Sequence, residues 1–234
     1  HTACHYAVPA ILVALMWRET SGKGQLVDIS MLGAANATTE FATLWWLNAE
    51  REVGRQTGRH AHIRPTEWTQ IRCADGRWFN TGVPPRNKRE FAALRTWVEE
   101  LGLVEECSPY EILKLGDKYE RIGLFELDAD PLAGEVFQAG RDVIEFLGQR
   151  LSAYELFVGL QERGMACGIV YSPEEMMQDP HFVERGFPVD IFYEDRGTSF
   201  THPGAPYRFG RTPWRAKRAP LLGEHQTLIE ELSD

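Results

Sequence analysis

Positive charge is in short supply in this chain. Its 25 lysines and arginines are outnumbered by 34 aspartates and glutamates, leaving a formal charge of -9. Nucleic-acid binding depends on clustered Lys and Arg that displace counterions from phosphate, so this balance argues against such a partner. Cysteine is sparse and scattered. Cys4, Cys73, Cys107 and Cys167 form no C-x-x-C pair and no regular spacing, which supports neither a zinc site nor a disulfide framework and fits a reducing cytoplasm. Long hydrophobic runs are missing as well. The longest, from Ala7 to Trp17, is interrupted by Pro9 and falls short of the roughly 20 residues of a membrane span. No cleavable signal precedes it, so a soluble chain with no membrane partner is expected. A starting methionine is also lacking. His1 opens the sequence inside what reads as the approach to a helix, and the chain is expected to be part of something longer or one half of a split protein.

What is present is globular composition: 234 residues, 43% of them hydrophobic, enough for one large or two small domains. The stretch from Thr20 to Leu32 organises the reading. Val8, Leu12, Leu15 and Met16 share one helical face before it. Gly22-Lys23-Gly24 then stops the helix and feeds a short alternating strand over Leu26 to Ile29. A second helix starts near Ser30 and continues through Ala34, Phe41 and Leu44 to Trp45 and Trp46. Helix, turn, strand and helix in this order are an α/β signature. Pro9 predicts that the first helix either begins about Val8 or is kinked there. Gly22-Lys23-Gly24 is not a phosphate loop, because no glycine stands five residues before Gly22 and Gly24 occupies the place of a magnesium-binding hydroxyl. Asp28 reads as structural, capping the following helix or binding a neighbouring turn.

Candidate chemistry is thin. His1 and His5 with Cys4 lack a third ligand or an intervening Glu, so no metal is expected. From Asn48 to Arg64 the composition turns to charge and glycine, with Arg51, Arg55, Arg59 and Arg64 around Gly54 and Gly58. His60 and His62 in this linker are candidate substrate contacts. Beyond it, Ala74-Asp75-Gly76-Arg77 between β-prone runs predicts a hairpin. Phe91, Leu94, Val98 and Leu101 predict a helix closed by Gly102. Ser152 to Glu155 and Ser172 to Glu175 read as capping boxes, with Gly164 closing the helix of the first and Pro173 opening that of the second. Cys167 lies in an apolar strand-like run without an adjacent base and reads as packing. Val189 to Tyr193 reads as a strand and a last helix ends near Leu232. Arg208, Arg211, Arg215, Lys217 and Arg218 form a basic stretch, read as a surface strap over acidic neighbours, with phosphate binding as the alternative. Trp45, Trp46 and Trp68 suit either core packing or an aromatic-lined acyl pocket.

Four segments carry a resemblance. Arg18-Glu19, Gly22-Lys23-Gly24-Gln25 and Val27-Asp28-Ile29-Ser30 come first. Gly58-Arg59-His60 with Cys73-Ala74-Asp75-Gly76-Arg77-Trp78 follow. Ser172-Pro173-Glu174-Glu175 with Asp179-Pro180-His181-Phe182 and Arg185-Gly186-Phe187 are third. The fourth comprises Pro203 to Phe209, Arg211-Thr212-Pro213 and Ala219 to His225. In this order they resemble the class III acyl-CoA transferases, the family of formyl-CoA and carnitine-CoA transferases and α-methylacyl-CoA racemase.

The resemblance implies an α/β fold: part of a Rossmann-like large domain plus a small α+β domain, in an interlocked dimer. Residues 1–50 and 166–234 would belong to the large domain, 51–64 to the linker and glycine-containing loop, and 65–165 to the small domain. It implies transfer of coenzyme A from an acyl-CoA to a carboxylic acid through an aspartyl-CoA thioester. The family's spacing puts that Asp immediately before His1. Gly58, Arg59 and His60 fall on the loop that covers the thioester, although only Gly58 stands where glycine-rich members have several in a row. Coenzyme A enters as substrate, with no further cofactor. Partners would be an acyl-CoA, a carboxylic acid, and a second copy or a heteromeric chain supplying the N-terminal half. Two alternatives accompany this reading: an acyl-CoA racemase or isomerase of the same fold, and a non-catalytic partner subunit.

Overall fold

The computed structural model describes residues 1–56, 61–63, 65–66, 68–123, 127 and 129–232. Helix α1 (Thr2–Ser21) runs through Pro9 rather than beginning about Val8. The proline ring removes one backbone donor, and the helix tolerates that loss. It ends as predicted: Gly22 takes a left-handed φ of 69° and its N–H reaches Arg18 O at 2.8 Å. The next expectation fails. Leu26 to Ile29 forms no strand, because no partner among the described residues supplies a ladder for it.

The second helix starts where predicted, but Ser30 rather than Asp28 is its cap, accepting from Gly33 N at 3.0 Å. It is two helices, α2 (Met31–Ala37) and α3 (Glu40–Ala49). The Thr38 and Thr39 hydroxyls donate back to the Ala35 and Asn36 carbonyls at 2.6 and 2.7 Å, which competes with continuing the helical ladder.

The core begins with a hairpin of β1 (Gln70–Arg72) and β2 (Trp78–Asn80), antiparallel with Ile71 opposite Phe79. Asp75 and Gly76 make the turn: Asp75 Oδ1 accepts from Arg77 N at 3.1 Å and Gly76 has φ 81°. Strand alternation sends Ile71 and Phe79 inward and leaves Trp78 on the outer face. Helix α4 (Lys88–Glu100) buries Phe91, Leu94, Trp97 and Val98, whereas Leu101 stays exposed beyond its end. Helices α5 (Tyr110–Lys114) and α6 (Pro131–Gly148) follow; Asp130 caps α6 through Leu132 N and Ala133 N. Ser152 and Glu155 form the predicted capping box of α7 (Ala153–Glu162). β3 (Gly168–Ile169) then pairs with the free edge of β2, giving the order β1-β2-β3.

The remaining elements are α8 (Pro173–Met176) under the second capping box, α9 (Pro180–Glu184) capped by Asp179, a hairpin of β4 (Pro188–Tyr193) and β5 (Thr198–Pro203), and α10 (Gln226–Glu231). The basic stretch is tied to acidic groups at its end, where Arg218 contacts Glu194 at 2.9 Å and Glu224 at 2.7 Å. Overall this is a mixed α/β arrangement with small sheets. Every strand pair among the described residues is antiparallel.

Burial is lopsided. The core cluster draws all its buried members from Ile71 to Met165, with Phe79, Phe91, Leu113 and Leu156 fully enclosed. Outside that range only Ala34 and Trp45 are buried among the described hydrophobic residues. No residue of α1 is buried, and Leu12 and Met16 are 57% and 68% exposed.

Candidate functional site

Gly58, Arg59 and His60 lie outside the described residues. The chain on either side of them is anchored. Gly54 and His62 form an antiparallel bridge, with N–H to O distances of 2.9 and 3.1 Å in the two directions. Gln56 Oε1 accepts from both the amide and the hydroxyl of Thr66, at 2.9 and 3.2 Å. The His62 ring packs edge-on against Trp45 at 4.8 Å, so that histidine is engaged in packing on α3.

Directly after this segment the chain lines a cavity of about 630 Å³ between the β1–β2 hairpin and α6. Its walls include Trp68 and Trp78, with Val170 beside them and Ile71 beneath. Register places Trp78 there: with Phe79 buried, the alternation of β2 turns Trp78 outward. Helix α6 contributes Gln138, Arg141 and Glu145, spaced so that they share one face while Val143, Ile144 and Leu147 enter the core. Arg141 Nη1 donates to Trp68 O at 2.8 Å and fixes the Trp68 backbone across the cavity mouth. Gln138 is oriented along the helix by donating to Asp142 Oδ1 at 2.8 Å.

The three tryptophans weighed from sequence therefore divide. Trp45 is buried outside the core cluster, Trp46 is exposed, and Trp68 is a cavity wall. Trp78, Gln138, Arg141 and Glu145 are additions that sequence reasoning missed. The available signal was the polar stripe at i, i+3 and i+7 on α6, which reads equally well as a solvated face.

Nucleophilic chemistry by cysteine is not supported here. Burial pushes the Cys167 thiol up to about 11, and its Sγ points to Phe157 O at 3.8 Å. Burial, with a smaller contribution from Asp75, also raises Cys73 to about 11. A thiol held that far above neutrality is protonated and unreactive. A second, smaller cavity of about 320 Å³ lies between α7 and α9. In it Tyr171 donates to Asp179 Oδ2 at 2.8 Å, and burial and that bond raise the phenol to about 12. Since Asp179 Oδ1 caps α9, this pair is a structural tie.

The family described as CoA-transferase family III matches residues 1–226 of the chain. Among curated relatives, a succinyl-CoA:(R)-benzylsuccinate CoA-transferase subunit of Thauera aromatica is 30% identical over 96% of the chain and 52% of its own length. A succinate–glutarate CoA-transferase of Agrobacterium fabrum is 27% identical over 96% of the chain and 50% of its own. The fold matches a CAIB/BAIF family protein from Brucella suis with a TM-score of 0.57 at 20% identity, over 100% of the chain and 54% of that protein. The chain thus spans about half the length of the curated relatives it matches. It belongs to CoA-transferase family III.

Proposed function

We propose that this chain is the C-terminal portion of an acyl-CoA:carboxylate CoA-transferase. The observation that carries the reading is family membership over residues 1–226, with relatives that transfer coenzyme A from succinyl-CoA or formyl-CoA. In the proposed mechanism an Asp carboxylate, positioned just before His1, attacks the thioester carbonyl and expels CoA thiolate, giving a mixed anhydride. The thiolate then attacks the aspartyl carbonyl, releasing the first acid and leaving aspartyl-CoA. The acceptor carboxylate attacks that thioester, and the expelled thiolate takes the new acyl group while the Asp is regenerated. Gly58, Arg59 and His60 contact the substrate as the covering loop, where backbone N–H groups stabilise developing oxyanions. No cofactor beyond the CoA thioester takes part.

Residues 1–50 and 166–234 would then belong to a Rossmann-like large domain and 65–165 to the small domain, with 51–64 between them. A second copy, or a chain supplying the N-terminal half, completes the assembly as an interlocked dimer. The confinement of the core to Ile71–Met165 supports this, as do the apolar side chains that α1 leaves uncovered, since patches of that kind mark contact surfaces.

The test is intact-mass spectrometry of the assembled protein mixed with an acyl-CoA. A covalent CoA adduct that disappears on adding the acceptor acid, and fails to form when the upstream Asp is changed to Asn, is the expected result. Full CoA transfer by this chain purified alone would overturn the proposal.

A further inference from the structure

We infer that the cavity between the β1–β2 hairpin and α6 receives an aromatic ring, or an equally flat apolar group, at the far end of the transferred acyl chain. This rests on the CoA-transfer reading above and names the class of acyl group.

Trp68 and Trp78 are 54% and 53% exposed and face the same space. Both walls are tied to regular elements. Trp78 sits in β2, which is paired on both edges, next to the fully buried Phe79. The Trp68 backbone is tied to α6 by Arg141. The cavity volume of about 630 Å³ falls within the roughly 300–1,000 Å³ of small-molecule sites. Indole walls favour offset or edge-on contact with another ring, a gain that a short aliphatic chain cannot collect.

Charge points the same way. Arg141 and Glu145 stand one helical turn apart on α6 and carry opposite sign, so the rim offers no net charge for a second carboxylate. Arg141 Nη1 is already committed to Trp68 O. Gln70 and Gln138 supply neutral polarity only. The group that fits is therefore uncharged and flat. Its carboxylate or thioester end is left outside the cavity.

The test uses the full chain with 3-phenylpropanoate as probe and propanoate as control, followed by saturation-transfer NMR titration. The ring protons are expected to saturate and the propanoate methyl not to. Trp78→Ala should weaken ring binding about tenfold, Trp78→Phe should retain it, and Trp214→Ala, remote in sequence and absent from the cavity lining, should leave it unchanged. Far-UV circular dichroism checks that Trp78→Ala folds; should it not, Trp68→Ala, outside any strand, carries the same expectation. Ring binding that ignores both substitutions, or equal saturation of propanoate, overturns the inference. In the assembled enzyme the expected pattern is a raised KM for the phenyl acid in Trp78→Ala with an unchanged KM for propanoate. Ring binding that tracks Trp78 in a protein showing no CoA transfer would defeat the transferase reading alone. CoA transfer indifferent to phenyl and to Trp78 would defeat the inference alone.

Discussion

Replacing Gly159 with alanine puts the packing of α7 against α4 to a direct test. A methyl at Gly159 would overlap the Trp97 indole, with even the third-nearest ring atom, Cε2, at only 2.9 Å. The indole has little room to retreat. It is 7% exposed, and the Arg163 guanidinium stacks on it at 4.6 Å while donating to Gly159 O at 3.0 Å. Overpacking of a filled core costs about 1–3 kcal/mol, and the pinned ring places this case in the upper half. Alanine returns about 1 kcal/mol through helix propensity, so the net loss is about 1–2 kcal/mol. With a urea dependence of about 2 kcal/mol per M, the unfolding midpoint, followed by tryptophan fluorescence, should fall by about 0.5–1 M. Gly134→Ala in α6 is the control of opposite sign. Its added methyl meets nothing closer than Leu127 O at 3.6 Å, so helix propensity alone should stabilise by about 0.5–1 kcal/mol. A Gly159→Ala protein as stable as the parent would refute the steric account. So would a Gly134→Ala protein destabilised alongside it.

Iodoacetamide near pH 8, read by peptide mass spectrometry, should label exposed Cys4 well before Cys73 and Cys167, whose thiols sit at about 11; equal rates in the folded chain would contradict their burial. Because those folded values lie above the ordinary thiol value of 9.0, the buried thiols hold their protons more tightly than the unfolded chain does. The stability they contribute is complete below about pH 9 and lost as pH rises through about 11, which a series of urea melts across that window would show. Ser152→Ala removes the hydroxyl that accepts from Glu155 N and should cost about 1 kcal/mol in the same melts; no change would mean that the capping box is ornamental to α7. Leu12→Ser with Met16→Ser should leave the melt of the isolated chain within about 0.5 kcal/mol, since both side chains are exposed. The same pair should impair assembly with the proposed N-terminal portion, measured by size-exclusion chromatography, and unimpaired assembly would remove α1 from the contact.

Where the controlling interaction is local, the sequence was readable. Asp75-Gly76 specifies its turn through its own carboxylate and a positive φ. Ser152 with Glu155, and Ser172 with Glu175, each close a reciprocal pair within one turn. Gly102 and Gly164 stop helices by adopting a conformation that other residues resist. The failures have non-local or competing causes. Leu26 to Ile29 has strand chemistry, but a strand exists only against a partner. The α2–α3 break was written in adjacent Thr38 and Thr39, whose hydroxyls compete for helix carbonyls, and apolar periodicity alone passed over it. The cavity was legible only in pieces. Trp68 was named from sequence, whereas Gln138, Arg141 and Glu145 gain meaning once tertiary packing sets that face of α6 opposite Trp78. The family segments were legible from Arg18 to His225, while Gly58, Arg59 and His60 fall outside the described residues.

The three-stranded sheet has a topological consequence. Gln70 and Gly168 both sit opposite Asn80, on the two sides of β2. Strands one position removed lie about 10 Å apart, so the backbone enters and leaves the packed middle of the molecule through neighbouring doors. A bridge of about four or five residues, at roughly 3.3 Å each, could join the two openings. That middle can accordingly be treated as a cassette: closed into a ring, reopened at an exposed turn such as Asp75-Gly76, or spliced into a surface loop of another protein with its packing intact.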